Sequence, residues 1–133
     1  MLLGGSTIVM YRKIEFRFWD IKEKVMMDWI TVRQTAFNRG DMHLCYDMMG
    51  TNPNFIKMQF TGLQDKNSKD IFESDIIKWK DKTAVVKWGD DAGGFIIEWA
   101  YSKNQHHELL TCDIACECEI LGNQFDNPEF KVI

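Results

Sequence analysis

The sequence lacks the short motifs and long apolar runs that assign many chains to a class. No stretch of about eighteen apolar residues is present, so no membrane-spanning helix is predicted. There is no G-x-x-x-x-G-K-S/T phosphate loop, no G-x-G-x-x-G turn and no G-x-S-x-G nucleophile motif. Nucleotide-binding and serine-hydrolase activities are therefore not predicted, and we expect a protein that is not an enzyme.

Basic side chains are outnumbered. The chain has 16 Lys and Arg residues against 20 Asp and Glu residues, which gives a net charge of −4. Proteins that neutralise many phosphates carry an excess of Lys and Arg on one face, so nucleic-acid binding is the minor alternative. Single-stranded nucleic acid would then be held by aromatic side chains together with Lys57, Lys78, Lys80 and Lys87.

No export signal is recognised at the N-terminus. The apolar stretch there has no preceding basic region and is broken by Gly4, Gly5, Ser6 and Thr7, unlike a signal peptide. We predict that residues 1–11 form a disordered leader and that the protein is cytoplasmic. Its four cysteines are then expected to be reduced.

Cys112, Cys116 and Cys118 are the residues that most resemble a metal site, since thiolates bind zinc. Their spacing fits poorly with the paired cysteines of a zinc knuckle. On a strand from Cys112 to Ile120 they would share one face with Ile114, and free cysteine commonly behaves as a small buried hydrophobe. We predict a cysteine-lined core face with no metal and no cofactor; zinc binding is the alternative.

Several acidic residues lie in predicted turns, namely Glu73, Asp75, Asp90 and Asp91. Short carboxylates in turns commonly accept hydrogen bonds from neighbouring backbone N–H groups, so a structural role is predicted for them. A small metal-dependent hydrolase that uses these carboxylates, or the Cys and His residues, is the further alternative.

Short alternating stretches are what the sequence has in abundance. Apolar residues alternate with charged ones over residues 13–18, and residues 25–32 are predicted to return as the second strand of a hairpin. Further strands are predicted over residues 55–61, 76–80, 83–88, 95–101 and 112–120. This pattern predicts a mainly β fold with minor helix: an N-terminal hairpin and irregular region (12–57), then a small barrel with a C-terminal capping tail (58–133).

Aromatic residues are also abundant, with 5 Trp, 9 Phe and 3 Tyr. So small a protein is not expected to hide every Trp completely. We predict an interaction surface that includes Trp19, Trp79, Trp88 and Trp99. Because the chain is acidic, a protein partner or a second copy of the chain is favoured over stacked bases.

Four blocks in order along the chain resemble one family. Residues 13–20 (KIEFRFWD) are similar to an opening I-K-F-R-A-W-D, and residues 58–67 (MQFTGLQDKN) to M-Q-Y-T-G-L-K-D-K-N. Residues 71–77 (IFESDII) are similar to I-Y-E-G-D-I-V, and residues 120–129 (ILGNQFDNPE) to V-I-G-N-I-Y-E-N-P-E. The family that these blocks resemble is the YopX family.

The resemblance implies an SH3-like β-barrel and a phage or prophage origin, with no catalytic residues, because none are defined for the family. Residues matching its motifs are expected to hold turns and pack the barrel: Phe16, Arg17, Trp19, Asp20, Gln59, Thr61, Gly62, Leu63, Asp65, Glu73, Asp75, Gly122, Asn123, Asn127 and Pro128. The predicted function is a non-enzymatic accessory protein that binds a protein partner or assembles with itself.

Two serines stand where the family pattern tends to have glycine. Ser68 follows Asn67, and a turn of the N-G type would need a positive φ at that position. With Ser68 there, the turn is either strained or of another type. Ser74 precedes the D-I-I strand, and the serine predicts a bend with ordinary φ.

Overall fold

The computed structural model describes residues 13–38, 53–99 and 107–130, the side chains of 35–38 excepted. The predicted leader (1–11) and most of the irregular region (39–52) lie outside these residues. Within the described ranges, no helix is long and apolar enough to cross a membrane.

An antiparallel four-stranded sheet occupies the N-terminal half, in the order β2-β1-β3-β4. Its strands are β1 (Phe16–Asp20), β2 (Val25–Met27), β3 (Phe55–Gln64) and β4 (Asp70–Phe72). The predicted hairpin is present, because Asp20 pairs with Val25 and Phe18 with Met27. The predicted boundary between residues 57 and 58 falls inside β3, which pairs with both β1 and β4.

The predicted strand over residues 25–32 is wrong after Met27, where helix α1 (Trp29–Asn38) begins. Asp28 starts this helix because its carboxylate accepts the backbone N–H of Thr31 at 2.7 Å. An aspartate at this position satisfies one of the free N–H groups of the first turn. The capping interaction overrides the strand preference of the apolar residues that follow.

A five-stranded antiparallel sheet forms the C-terminal half and curls into a half-barrel, in the order β8-β7-β6-β5-β9. Its strands are β5 (Asp75–Trp79), β6 (Lys82–Gly89), β7 (Gly94–Trp99), β8 (His107–Leu109) and β9 (Glu119–Asn123). The prediction of a mainly β fold with minor helix is confirmed.

The main core lies against the five-stranded sheet and is closed by helix α2 (Cys112–Glu117). Its fully buried members include Ile77, Val86 and Ile97 from the strands, with Ala115 from the helix. A smaller cluster centred on Phe18 and Val32 packs β1 against α1.

Candidate functional site

Arg17 and Asp75 form a buried ion pair that joins the two sheets. Arg17 Nη2 lies 2.7 Å from Asp75 Oδ1, and the two side chains are 13% and 3% exposed. Arg17 also donates to the carbonyl oxygen of Glu73, and Asp75 Oδ2 accepts the N–H of Phe72 at 2.8 Å. Burial raises the pKa of Asp75, and the Arg17 charge and the Phe72 N–H offset only part of this effect.

Asp65 is a second buried carboxylate that serves the fold. Its Oδ1 accepts the N–H groups of Asn67 and Lys69, both at 2.9 Å, and its Oδ2 accepts the N–H of Ile120 at 3.0 Å. Burial alone would raise the pKa of Asp65, but these three donors outweigh it and hold the pKa below its ordinary value. Asp65 therefore fixes the turn after β3 and ties it to β9.

Asparagine side chains stabilise the last of the four blocks, residues 120–129. Asn127 Oδ1 accepts the N–H of Asn123 at 3.2 Å, and Asn123 Oδ1 accepts the N–H groups of Phe125 and Asp126. A Cβ on Gly122 would lie 2.1 Å from Asn127 Oδ1, closer than any real contact. Glycine is therefore required where the tail folds back over β9.

Both serines that replace the family's glycines have left-handed backbones. Ser68 has φ 62° and Ser74 has φ 73°. The expectation of an ordinary φ at Ser74 is therefore wrong, because the bend between β4 and β5 keeps the geometry for which the family pattern has glycine. For the turn at Ser68 the sequence leaves two alternatives open, a strained turn or a turn of another type. The positive φ of Ser68 corresponds to the strained turn.

A bulge interrupts β3 in the middle of the T-G-L block. Phe60 pairs with Phe72 and Gln64 with Asp70, so β3 has three residues where β4 has only one. Gly62 lies at the bulge with φ +87°, a backbone conformation that other residues adopt only with strain. Bulges re-aim side chains and are frequent beside binding sites.

Thr61 stabilises the bulge from within. Its hydroxyl donates to the carbonyl oxygen of Ile71 at 2.8 Å and accepts the N–H of Leu63 at 3.2 Å. The side chain thus supplies hydrogen bonds where the regular ladder is interrupted, and the bulge keeps a defined shape.

An open groove of about 590 Å³ lies beside this bulge, between β3, β4 and the start of α2. We call it the Gly62 groove. It is lined by Lys13, Phe60, Gly62, Leu63, Gln64, Asp65, Asp70 and Cys112. Its volume is in the range of ligand-binding clefts, and it combines apolar with polar side chains, as such clefts do.

The three C-terminal cysteines do not form one core face. Residues 112–117 are helical, because Thr111 caps the helix by accepting the N–H of Ile114. Cys118 is fully buried, and burial raises its pKa to about 11, whereas Cys112 and Cys116 are exposed. The prediction of a cysteine-lined core is therefore wrong for Cys112 and Cys116, and Cys112 instead lines the Gly62 groove beside ionisable side chains.

The four tryptophans predicted to form an interaction surface do not share one exposed face. Trp19 and Trp99 are only 9% and 8% exposed, which contradicts an exposed role for both. Trp19 stacks on Phe125, and Trp99 stacks on the half-buried Trp79 at 5.8 Å between ring centroids. Trp88 remains available, with 47% of its surface exposed.

The lysines of the nucleic-acid alternative are divided between the sheets. Lys57 lies on the first sheet, with its Nζ 5.4 Å from the centre of the Phe16 ring. The other three lie on the second sheet or its turn, where Lys87 forms an ion pair with Glu98 and Lys80 lies over Trp79. Within the described residues, no group of three His, Cys, Asp or Glu side chains is placed to hold a metal ion.

Half of the residues that line the groove are not identified from the sequence. Gly62, Leu63 and Asp65 were singled out as family-motif residues, but Lys13, Phe60, Gln64 and Asp70 were not assigned to a site. The signal that was present is the glycine between Thr61 and Leu63, since glycine inside a strand pattern indicates a bulge.

Comparison with known proteins supports the fold. The family model described as YopX protein matches residues 15–130. A crystal structure of protein EF1440 from Enterococcus faecalis is similar, with a TM-score of 0.57 and 21% identity over 90% of this chain and 98% of that chain. None of the curated proteins matches the chain.

Proposed function

The chain belongs to the YopX family, and we propose that it is a non-enzymatic accessory protein of phage or prophage origin that binds a partner protein in the Gly62 groove. The proposal places it in the cytoplasm of a bacterial host. The observation that carries it is the groove itself, whose apolar residues Phe60 and Leu63 lie beside the polar side chains of Lys13, Gln64 and Asp70.

The chemistry of the motif residues supports binding rather than catalysis. Both carboxylate oxygens of Asp65 accept hydrogen bonds from backbone N–H groups. In Asp75, one oxygen accepts from Arg17 and the other accepts from the N–H of Phe72. Glu73 accepts the N–H of Gln59 at 2.7 Å. Carboxylates that are bonded in this way hold turns together. Recognition of a partner then depends on the shape and the surface of the groove.

Selection of displayed peptides tests the proposal. Random dodecapeptides would be selected on the intact wild-type chain and then measured against Cys112→Trp, which fills the groove. We expect this variant to bind selected peptides at least tenfold more weakly. Cys116→Trp is the matched control, because Cys116 is exposed one helical turn away and does not line the groove, and it should bind as the wild type does.

Peptides that bind Cys112→Trp and the wild type equally would contradict the proposal, as would a failure to select any peptide. Light scattering on the same samples tests whether the chain assembles with itself. If the wild type forms a dimer that Cys112→Trp abolishes and Cys116→Trp keeps, the partner in the groove is a second copy of the chain.

A second candidate function is single-stranded nucleic-acid binding at the β5–β6 turn. Lys80 Nζ lies 4.5 Å from the centre of the Trp79 ring, and Lys82 Nζ lies 5.3 Å from that of Trp99. Of this aromatic pair only the half-buried Trp79 offers surface on which a base could stack, and the two lysines supply positive charge beside it. A labelled oligothymidine should then bind with a steep salt dependence and be lost in Lys80→Glu/Lys82→Glu; no binding at low salt would remove this candidate.

A further inference from the structure

The Gly62 groove continues into a second depression that widens the site. This depression has a volume of about 270 Å³ and shares Lys13 and Asp70 with the groove. Its other lining residues are Glu15, Asp28, Trp29, Ile30 and Phe72. An occupant long enough to cross both depressions would contact β3 and β4 at one end and the start of α1 at the other.

Acidic side chains dominate this combined surface. Glu15, Asp28, Asp65 and Asp70 line it, against Lys13 as the only basic side chain among its lining residues. Lys13 and Glu15 offset each other, because the Lys13 Nζ lies 3.4 Å from a carboxylate oxygen of Glu15, so Asp28, Asp65 and Asp70 remain as the other charged lining residues.

Arg17 does not change this balance. Its guanidinium lies 4.9 Å from the centre of the Phe72 ring, but it is paired with Asp75 and does not line either depression. Carboxylates therefore outnumber basic side chains among the residues that line the surface.

Two of these carboxylates are available to a ligand. Asp70 carries one described hydrogen bond, from Gln64 Nε2 at 3.0 Å, and Asp28 uses one oxygen to cap α1. A carboxylate has about four acceptor positions, so each of the two can accept a further donor. Hydrogen bonds from Thr31 lower the pKa of Asp28, so this group is anionic at neutral pH.

Apolar and aromatic side chains lie between these charges. Ile30 is 58% exposed, and it neighbours Trp29 in the same depression. Aromatic rings also attract cations, so Trp29 suits the stem and head of a lysine or arginine side chain.

We propose, on the basis of the binding function above, that the occupant is an extended segment of a partner protein in which Lys or Arg side chains alternate with apolar ones. Side chains of an extended segment point alternately to opposite sides. Charge complementarity with Asp28 and Asp70 selects the basic residues, and the apolar residues cover Ile30, Trp29 and Leu63.

Matched synthetic peptides test this inference by fluorescence anisotropy. The probes are a labelled heptapeptide of alternating Lys and Leu and its counterpart of alternating Glu and Leu, with blocked termini. We expect the intact chain to bind the Lys peptide at least tenfold more tightly. The double variant Asp28→Asn/Asp70→Asn should weaken that binding about tenfold. The amide oxygens of the two new asparagines can still accept the hydrogen bonds from Thr31 and Gln64.

The control variant is Asp90→Asn/Asp91→Asn, which makes the same change in net charge in the β6–β7 turn, outside the lining of both depressions. It should retain wild-type affinity. Alkylation of Cys112, read by mass spectrometry of its peptide, should slow when the Lys peptide is bound, and alkylation of Cys116 should not.

Three results would overturn the inference: equal binding of the two peptides, equal loss in the two variants, or no protection of Cys112. The proposed binding function still holds after any of these results if displayed peptides of neutral or acidic composition are selected and their binding is weakened by Cys112→Trp. If no selected peptide depends on Cys112, the binding function fails together with the inference.

Discussion

At the residue scale, Ser74 and Ser68 carry backbone strain that glycine would relieve. An L-residue in the left-handed region costs about 1–2 kcal/mol, of which the greater flexibility of unfolded glycine cancels part. We expect Ser74→Gly to raise the free energy of unfolding by about 0.5–1 kcal/mol, measured by urea titration. The control Ser74→Ala keeps the strain and should not be more stable than the wild type; a gain equal to that of Ser74→Gly would contradict this explanation.

The same two serines show a backbone geometry that cannot be recognised from a single sequence. A serine gives no sign of a positive φ, and the resemblance to a pattern with glycine at that position was the better guide. The hydrogen bonds around Ser74 decide its geometry: its N–H donates to Val86 and its carbonyl oxygen accepts from Gln124. Contacts of this kind, far apart along the chain, are not visible in a local sequence pattern.

Gly122 should resist substitution for a different reason. A Cβ there would overlap the Asn127 side chain, with its oxygen 2.1 Å away, so Gly122→Ala is expected to cost about 1–3 kcal/mol in urea unfolding. Gly94→Ala is the matched control, since the nearest atom to its Cβ is a flexible Leu109 methyl at 3.3 Å. Adding Asn127→Ala to Gly122→Ala should recover part of the loss, and strict additivity of the two changes would argue against the overlap.

At the scale of elements, Asp65 makes the turn between β3 and β4 sensitive to acid. Because its pKa is lower in the folded chain than in the unfolded one, it contributes stability above the unfolded pKa that is lost as pH falls through the folded pKa. Asp65→Asn places an amide N–H₂ against a backbone donor and should cost about 2 kcal/mol at pH 7. The cost should shrink at pH 3, below the ordinary aspartate pKa, because the unfolded wild-type chain then takes up a proton at this position that the bonded carboxylate of the folded chain resists.

Urea titrations at the two pH values measure this difference. Exposed Asp90 provides the control, since Asp90→Asn should change stability little at either pH. A cost for Asp65→Asn that is the same at pH 3 and pH 7 would show that its charge does not hold the turn.

Helix α2 shows why element type was harder to predict than fold class. Cys112, Ile114, Cys116 and Cys118 alternate in a way that suits a strand, but Ile114, Ala115 and Cys118 also fit one face of a helix. Thr111 decides between the two by capping the first turn. The mainly β class was easier to predict because strands such as β3 alternate, with Met58 and Phe60 buried and Lys57 between Ile56 and Met58 exposed.

At the scale of the whole molecule, the Gly62 groove exists only because distant parts of the chain meet. Lys13, the β3 bulge, Asp70 and Cys112 come from four separate segments. Sequence patterns report which face of a strand is buried but not which strand ends lie side by side. The residues of the groove could be recognised as motif residues, whereas their common surface required the tertiary structure.

The Arg17–Asp75 pair should make the two sheets unfold as one unit, since it bridges β1 and β5 across their junction. Removing one partner of a buried pair leaves an uncompensated charge, so Asp75→Ala is expected to cost about 3–5 kcal/mol. The Lys87–Glu98 pair lies within one sheet and is partly exposed, so Glu98→Ala should cost less than about 1 kcal/mol. Circular dichroism in urea measures both free energies.

Labelling of Cys118 tests the cooperativity directly. This thiol is fully buried, and its pKa of about 11 keeps it protonated in the folded chain, so it should react with a maleimide only after unfolding. Its labelling midpoint in urea should coincide with that of circular dichroism in the wild type, and both should move together in Asp75→Ala. Labelling of Cys118 well before the loss of β structure, or an Asp75→Ala cost no larger than that of Glu98→Ala, would mean that the ion pair does not couple the sheets.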